Sequence, residues 1–260
     1  MRPNGGGMQR FFDSRRSAPM DEPIGERFQN LTKYIRRQLP GGGPDFAHRP
    51  PPVKTYPGAA RVVLPAPETT GGPPLWDAIR RRRSIRRYPG APLTAAELSQ
   101  LLWATQGLTH SPRAGHLRAA PSAGGLHPIE TYLSIQEVEG IAAGIYHYAV
   151  GDHTLETLET GDMRKRVSAA GLDQDLLLDA HCVFIWTAVF QRCGWKYRQR
   201  AYRYIYLDAG HLAQNLALAC AGMGLASCQV AALYDDEVNA LVGVDGHEEG
   251  AVYMTGVGRP

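Results

Sequence analysis

Apolar and polar positions follow regular patterns from Leu75 onward, and these predict most of the elements of the chain. Pro73 and Pro74 precede Leu75, Trp76, Asp77, Ala78, Ile79 and Arg80, a run without breakers that predicts a short helix. Thr94 followed by Glu97 forms a capping-box pattern, after which Leu98, Leu101, Leu102 and Thr105 share one helical face up to Gly107. Residues 131–137 alternate Tyr132, Ser134 and Gln136 against Leu133, Ile135 and Glu137, and predict a strand. Residues 144–150 predict another. Residues 182–190 are almost unbroken apolar and β-branched, as in a strand buried on both faces. The longest predicted helix covers residues 197–223, where Ala209, Gly210, Ala213, Ala217, Ala219 and Ala221 let another backbone approach, from the core or from a second subunit. Residues 230–234 and 251–257 predict two further strands with a short helix, 235–242, between them. These elements describe an α+β domain whose central sheet carries helices on both sides.

Residues 1–72 have no such order. Gly41, Gly42, Gly43 and Pro44, then Pro50, Pro51 and Pro52, interrupt any period, and only residues 24–38 look weakly helical. The expected organisation is an extended N-terminal arm, 1–72, disordered over its first twenty residues or so and wrapping a neighbour, followed by a folded domain, 73–260. At 260 residues and 43% apolar content, the chain can bury a full core. Its net charge is only +3, so the basic surplus is local and general nucleic-acid binding is not expected. No apolar run of membrane-spanning length and no apolar stretch near Met1 occurs, so no membrane association and a cytoplasmic location are expected. Cys182, Cys193, Cys220 and Cys228 have no C-x-x-C spacing and lie in or beside apolar segments, as reduced, buried thiols do. His181 and Cys182 are adjacent and point to opposite faces of a strand, so no metal site is expected.

The densest chemical signal is the run Arg80, Arg81, Arg82, Arg83, Ser84, Ile85, Arg86, Arg87. Guanidinium forks and a hydroxyl at a helix end suit a phosphate dianion; a solvated basic face or a nucleic-acid patch would have the same composition. Gly222, Gly224 and Ser227 approximate a dinucleotide fingerprint, yet they close a helix instead of opening one, and are read as a helix end. Pro121, Ser122, Ala123, Gly124 and Gly125, before Leu126, His127 and Pro128, offer small residues that could meet a flat ring or an anion, or form a plain turn. The chain closes with Gly256, Val257, Gly258, Arg259 and Pro260, where Arg259 is either a second cation for the same phosphate or a solvated terminal residue.

Taken in order, Arg82, Ser84 and Arg86, the loop at 121–128, Leu207 to His211 with Gln214 and Asn215, and the closing Gly258 and Arg259 resemble the nitroreductase superfamily, over about residues 45–260. Lys196 and Tyr197, shortly before Ala209, Gly210 and His211, narrow the resemblance to its SagB/ThcOx-type (McbC-like) azoline dehydrogenases. The resemblance implies a nitroreductase-like α+β fold with a mixed or antiparallel sheet, FMN as cofactor, and an intertwined homodimer with flavin at the interface. It implies that Arg82, Arg83, Ser84, Arg86, Gly258 and Arg259 hold the FMN phosphate end. Pro121, Ser122, Ala123 and Gly124 would meet the flavin from the partner subunit, and Ala231 and Ala232 would face its reactive side, where the wider superfamily has a Glu-Gly pair. The implied reaction oxidises azolines to azoles in a peptide or small-molecule heterocycle, with Lys196 and Tyr197 as the base, beside a cyclodehydratase or other biosynthetic partner. A free Lys near pKa 10.4 is a poor base, and burial by Trp195 together with neighbouring arginines is expected to favour its neutral form. Two alternatives stay open: a nitro- or quinone-reductase fed by NAD(P)H, and a catalytically inactive scaffold subunit.

Overall fold

The computed structural model describes residues 23–39, 43–109 and 117–260, which belong to two compact units, Met1–Gly42 and Gly43–Pro260. Within the first unit, helix α1 (Ile24–Thr32) follows Pro23 and carries Glu26 in its first turn, where the helix dipole favours an acid. It stops at Thr32 instead of running to residue 38, and the Thr32 hydroxyl bonds back to the Phe28 carbonyl. The disorder expected for the first twenty residues lies outside the described residues.

The second unit is a seven-stranded sheet, every neighbouring pair antiparallel. Its strands are β1 (Arg61–Val63), β2 (Ile129–Ile135), β3 (Gly144–Ala149), β4 (Thr154–Thr160), β5 (Cys182–Val189), β6 (Ala226–Val230) and β7 (Glu249–Gly258), in the order β1-β4-β3-β2-β5-β7-β6. Strand β5 is interior and buried on both faces, as its apolar run predicts. Strand β6 departs from expectation: it ends at Val230, where a strand was predicted to begin. Ala226, Ser227 and Cys228 are weak strand formers, and pairing with β7 holds them extended.

Two helical layers cover the sheet. On one face, α3 (Ala95–Gln106) and α7 (Ala201–Met223) bring Leu98, Leu101, Leu102, Ile205, Leu212 and Leu216 onto Leu133, Phe184 and Trp186. On the other, α4 (Arg164–Ala170), α5 (Asp175–Leu178) and α8 (Asp235–Val242) pack Val167, Leu177 and Val238 on Ile145, Val183, Ile185 and Met254. The predicted capping box is present: Glu97 N donates to Thr94 Oγ1 at 3.1 Å, and Thr94 N donates to Glu97 Oε2 at 2.8 Å. Gly224 closes α7 at φ +71, the left-handed conformation that suits glycine, so the dinucleotide-like glycines are a helix end. The helix predicted for 197–223 is α7, which starts at Ala201; a further helix, α6 (Gln191–Tyr197), precedes it and was not predicted, and Arg198 at φ +51 and ψ −135 separates the two. Among the described residues, no helix is long and apolar enough to cross a membrane. All four cysteines are free and buried, and burial pushes the Cys193 and Cys220 thiols up to about 12.

One face of the sheet also holds a buried polar network. Glu130 on β2 accepts from Arg192 Nη1 at 2.5 Å, and its other oxygen lies 3.1 Å from His147 Nε2. His147 Nδ1 lies 2.9 Å from Glu156 on β4, which also accepts from Tyr56 N and Arg61 Nη2. Beside it, Glu249 accepts from Lys54 Nζ at 2.6 Å, Tyr132 OH at 2.9 Å and Thr187 Oγ1 at 2.5 Å. Residues 51–56 thus lie over the sheet as a strap, tied to it through Lys54 and Tyr56. Burial alone would push the Glu130 carboxyl up; the His147 bond and the Arg192 and Arg118 charges outweigh it and hold the group at about 2.

Truncating a side chain in the layer between α7 and the sheet should be costly. Leu216→Ala, at a fully buried position, is expected to lower stability by about 2–5 kcal/mol through lost transfer energy and a residual cavity. A urea titration reads this as a lower midpoint at unchanged slope; an unshifted midpoint would show that the layer repacks without loss.

Candidate functional site

The basic segment begins where α2 (Leu75–Arg81) stops. Arg82 caps this helix, its N–H donating to Ala78 O at 2.9 Å. The chain then runs beside β6, Ser84 bridging Ser227 in parallel and Ile85 N donating to Ser227 O at 3.0 Å. Tyr88, buried, pins the turn by donating to Ile85 O and Gly256 O at 3.0 and 3.2 Å, and burial pushes its phenol well up. Gly258 is required by this packing, since a Cβ there would stand 2.6 Å from Tyr88. Arg80 pairs with Asp77, and Arg83 folds onto the carbonyls of Arg80 and Arg82. Arg82 and Arg86 have no carboxylate partner among the described residues, and Ser84 and Arg86 are exposed. Arg259 Nη2 donates to both oxygens of Glu97 at 2.9 Å. Burial pushes the Glu97 carboxyl up, but the Thr94 amide and Arg259 outweigh it and hold the group below the usual range.

The loop after buried Ala120 is tied down by α7. Ser122 Oγ donates to Asp208 Oδ2 at 2.6 Å, Ala123 N donates to Asp208 Oδ1 at 3.2 Å, and His127 N donates to Ser122 Oγ at 2.8 Å. Pro121 is exposed at the entry to the loop. Gly124 adopts φ +63, and a Cβ there would stand 2.5 Å from Tyr197 Oη and 2.9 Å from Lys196 Nζ. The loop and the Lys196 and Tyr197 pair therefore meet in one chain, through a glycine that leaves no room for a side chain. Gly125 faces open space. Lys196 Nζ lies 5.3 Å from the Tyr197 ring, and the Tyr197 and Tyr204 rings meet edge to face at 4.8 Å.

Trp195 gives Lys196 no burial. Its ring turns the other way, onto Phe46 at 5.2 Å and Arg49 at 5.3 Å, and Lys196 is exposed. Arg192 is likewise committed to Glu130. Ala231 and Ala232, also exposed, follow the end of β6, with Gln174 Nε2 donating to Ala232 O at 3.2 Å.

These groups occupy two places along α7. The loop attaches at Asp208, whereas the basic segment lies by the C-terminal end, where Gly222 meets Pro73. Asp208 and Gly222 are about 21 Å apart along the axis. Asp208 and Arg192 escaped the sequence reading as site residues. An acid on an apolar helix stretch, between Leu207 and Ala209, is the signal that marks the first.

The nitroreductase family pattern matches residues 79–259. A Methanocaldococcus jannaschii protein described as a nitroreductase is 32% identical over 185 residues, covering 71% of this chain and 90% of that protein. The microcin B17-processing protein McbC of Escherichia coli is 30% identical over 141 residues, covering 52% of this chain and 52% of McbC. A solved structure described as an Anabaena variabilis nitroreductase superposes with a TM-score of 0.73 at 29% identity, over 90% of this chain and 47% of that one. The chain thus spans about half the length of McbC and of the Anabaena protein.

The loop anchor gives a prediction with a definite sign. Burial, against the opposing bonds from Ser122 and Ala123, raises the Asp208 carboxyl above its ordinary value. The folded state then holds a proton that the unfolded chain has released, so this group's contribution to stability is present at low pH and is lost as pH rises through the raised value. Asp208→Asn should remove that downward slope above about pH 4, read from urea midpoints across the acid range. An identical slope in the variant would show that Asp208 is not its source.

Proposed function

The chain belongs to the nitroreductase family, and on that premise we propose that it is an FMN-dependent dehydrogenase of the SagB type that oxidises azoline rings to azoles in a peptide substrate. The observation that carries this reading is the convergence of Lys196 and Tyr197 on Gly124. The similarity to McbC, a protein named for microcin B17 processing, supports it.

The residues fit FMN. Arg82 and Arg86 are guanidiniums without carboxylate partners among the described residues, beside the Ser84 hydroxyl, and Arg83 adds a third fork. This donor set matches a phosphate dianion. Arg259 would join it only by leaving Glu97, and Gly258 contributes by admitting Tyr88 beneath the turn. When bound, FMN would supply the hydride acceptor. Ala231 and Ala232 would face the ring from the end of β6. Pro121, Ser122, Ala123 and Gly124 would approach a ring held by the arginines of the other subunit, as in the intertwined homodimer that the resemblance implies. The exposed face of α7 at Gly210, open on the outside, suits the homodimer this requires.

Azoline oxidation removes a hydride from one ring carbon and a proton from its neighbour. Lys196 Nζ is the base for that proton, and Tyr197 Oη orients the ring or relays the proton. Lys196 is exposed in the single chain, open to substrate or to the second subunit. A cyclodehydratase that makes the azoline is the expected partner.

Lys196→Ala and Tyr197→Phe should each lower kcat by about 10²–10⁴-fold with bound FMN retained. Full turnover in both variants would remove the base assignment. Arg82→Ala and Arg86→Ala should each weaken FMN binding by about 10–100-fold, since a charge-assisted bond contributes about 1.5–3 kcal/mol. Equilibrium titration of the apoprotein measures this, and unchanged affinity would move the phosphate elsewhere. The reaction class is decided by anaerobic mixing with an azoline peptide. Bleaching of the visible flavin band with azole formation, reversed by dioxygen, is expected. Bleaching by NAD(P)H alone would indicate a nitro- or quinone-reductase, and failure to take up FMN would indicate a scaffold subunit.

A further inference from the structure

Arg192 is 4% exposed and lies one helical turn before Lys196 on α6. Its guanidinium makes three different attachments. Nε donates to Pro51 O at 2.9 Å, in the strap over the sheet. Nη1 donates to Glu130 Oε1 at 2.5 Å, in the sheet itself. The same Nη1 donates to His127 O at 3.4 Å, at the far end of the loop that carries Gly124. One planar fork therefore ties the helix bearing Lys196 and Tyr197 to the strap, the sheet and the loop. A point-charge ammonium could keep the Glu130 contact but could not span all three.

The loop is clamped at both ends. Asp208 holds Ser122 and Ala123, and Arg192 holds His127. Both segments that meet at Gly124 also contain backbone in unusual conformations, His127 at φ +47 and Arg198 at φ +51. Such conformations persist where surrounding contacts over-determine them. We infer that Arg192 is the positioning residue that fixes Lys196 and Tyr197 against the loop at Gly124, acting through its simultaneous hold on Pro51, Glu130 and His127. This rests on the reading of Lys196 and Tyr197 as the base; Arg192 itself does not touch substrate.

The test uses the full-length FMN-loaded protein. Arg192→Ala leaves the buried Glu130 carboxylate without its cation and is a poor probe, because it endangers the fold. Arg192→Lys keeps a cation for Glu130 and gives up the fork. Its expected signature is wild-type FMN content, a lowered urea midpoint at unchanged slope, and amide exchange at least about 10-fold faster in residues 122–127 and 191–197 than in the wild type. Turnover of an azoline peptide should fall about 100-fold in kcat with KM unchanged, the cost of a small misplacement of catalytic groups. Adding Lys196→Ala to Arg192→Lys should then cost much less than it does in the wild type, as for residues that act as a unit. Unchanged exchange in both segments overturns the inference, and so does faster exchange with wild-type kcat. If the wild type itself oxidises no azoline, the base assignment fails, and the exchange result alone decides whether Arg192 positions α6 on the loop.

Discussion

A carboxylate buried in the middle of a sheet constrains everything around it, and Glu130 is that carboxylate here. A lone ion in such a place costs several kcal/mol, so the fold must bring compensating charge to it and keep it there. The compensation comes from far along the chain: His147 from the next strand, Arg192 from α6, and, through Glu156, Tyr56 of the strap and Arg61 of β1. Helix α6 and the strap are thereby fixed to the core. Lys54 and Glu249 repeat the arrangement beside it, with Tyr132 and Thr187 completing the carboxylate's bonds. The strap is part of the folded unit for this reason, although its own sequence is rich in proline.

The sequence revealed those elements whose formation depends on their own residues. The capping box before α3, the apolar run of β5, the acidic start of α8 and the glycine closing α7 are local signals with local causes. What it hid depends on partners distant in the chain. Strand β6 consists of weak strand formers and exists because β7 pairs with it; β1 is a short edge strand formed against β4. Helix α6 was not predicted, and no Pro or Gly at Arg198 marks the turn that separates it from α7. Three-dimensional attachment of α6 to Glu130 and the loop sets the turn there instead.

The same division holds for the candidate site. The arginines, the small-residue loop and the Lys196 and Tyr197 pair were each legible as chemistry. Their grouping was not: Gly124 with Lys196 and Tyr197 at one end of α7, Arg82, Ser84 and Arg86 toward the other, and Arg259 drawn to Glu97. The predicted burial of Lys196 by Trp195 failed because adjacent residues on a helix diverge, and Trp195 found Phe46 instead. Asp208 and Arg192 stayed hidden as site residues because a buried charge is recognised by its partners, and those partners lie tens of residues away.

The four buried cysteines have a practical consequence. Each sulfur is enclosed, and Cys193 and Cys220 are held as thiols far above neutral pH. Electrophilic labels react with exposed thiolates, so the folded wild-type chain presents a chemically silent background. A single cysteine placed at an exposed position such as Pro121 would be the one nucleophile available to such a reagent. A fluorophore or spin label could then report on the loop in an otherwise unmodified protein, without first stripping out its native sulfur.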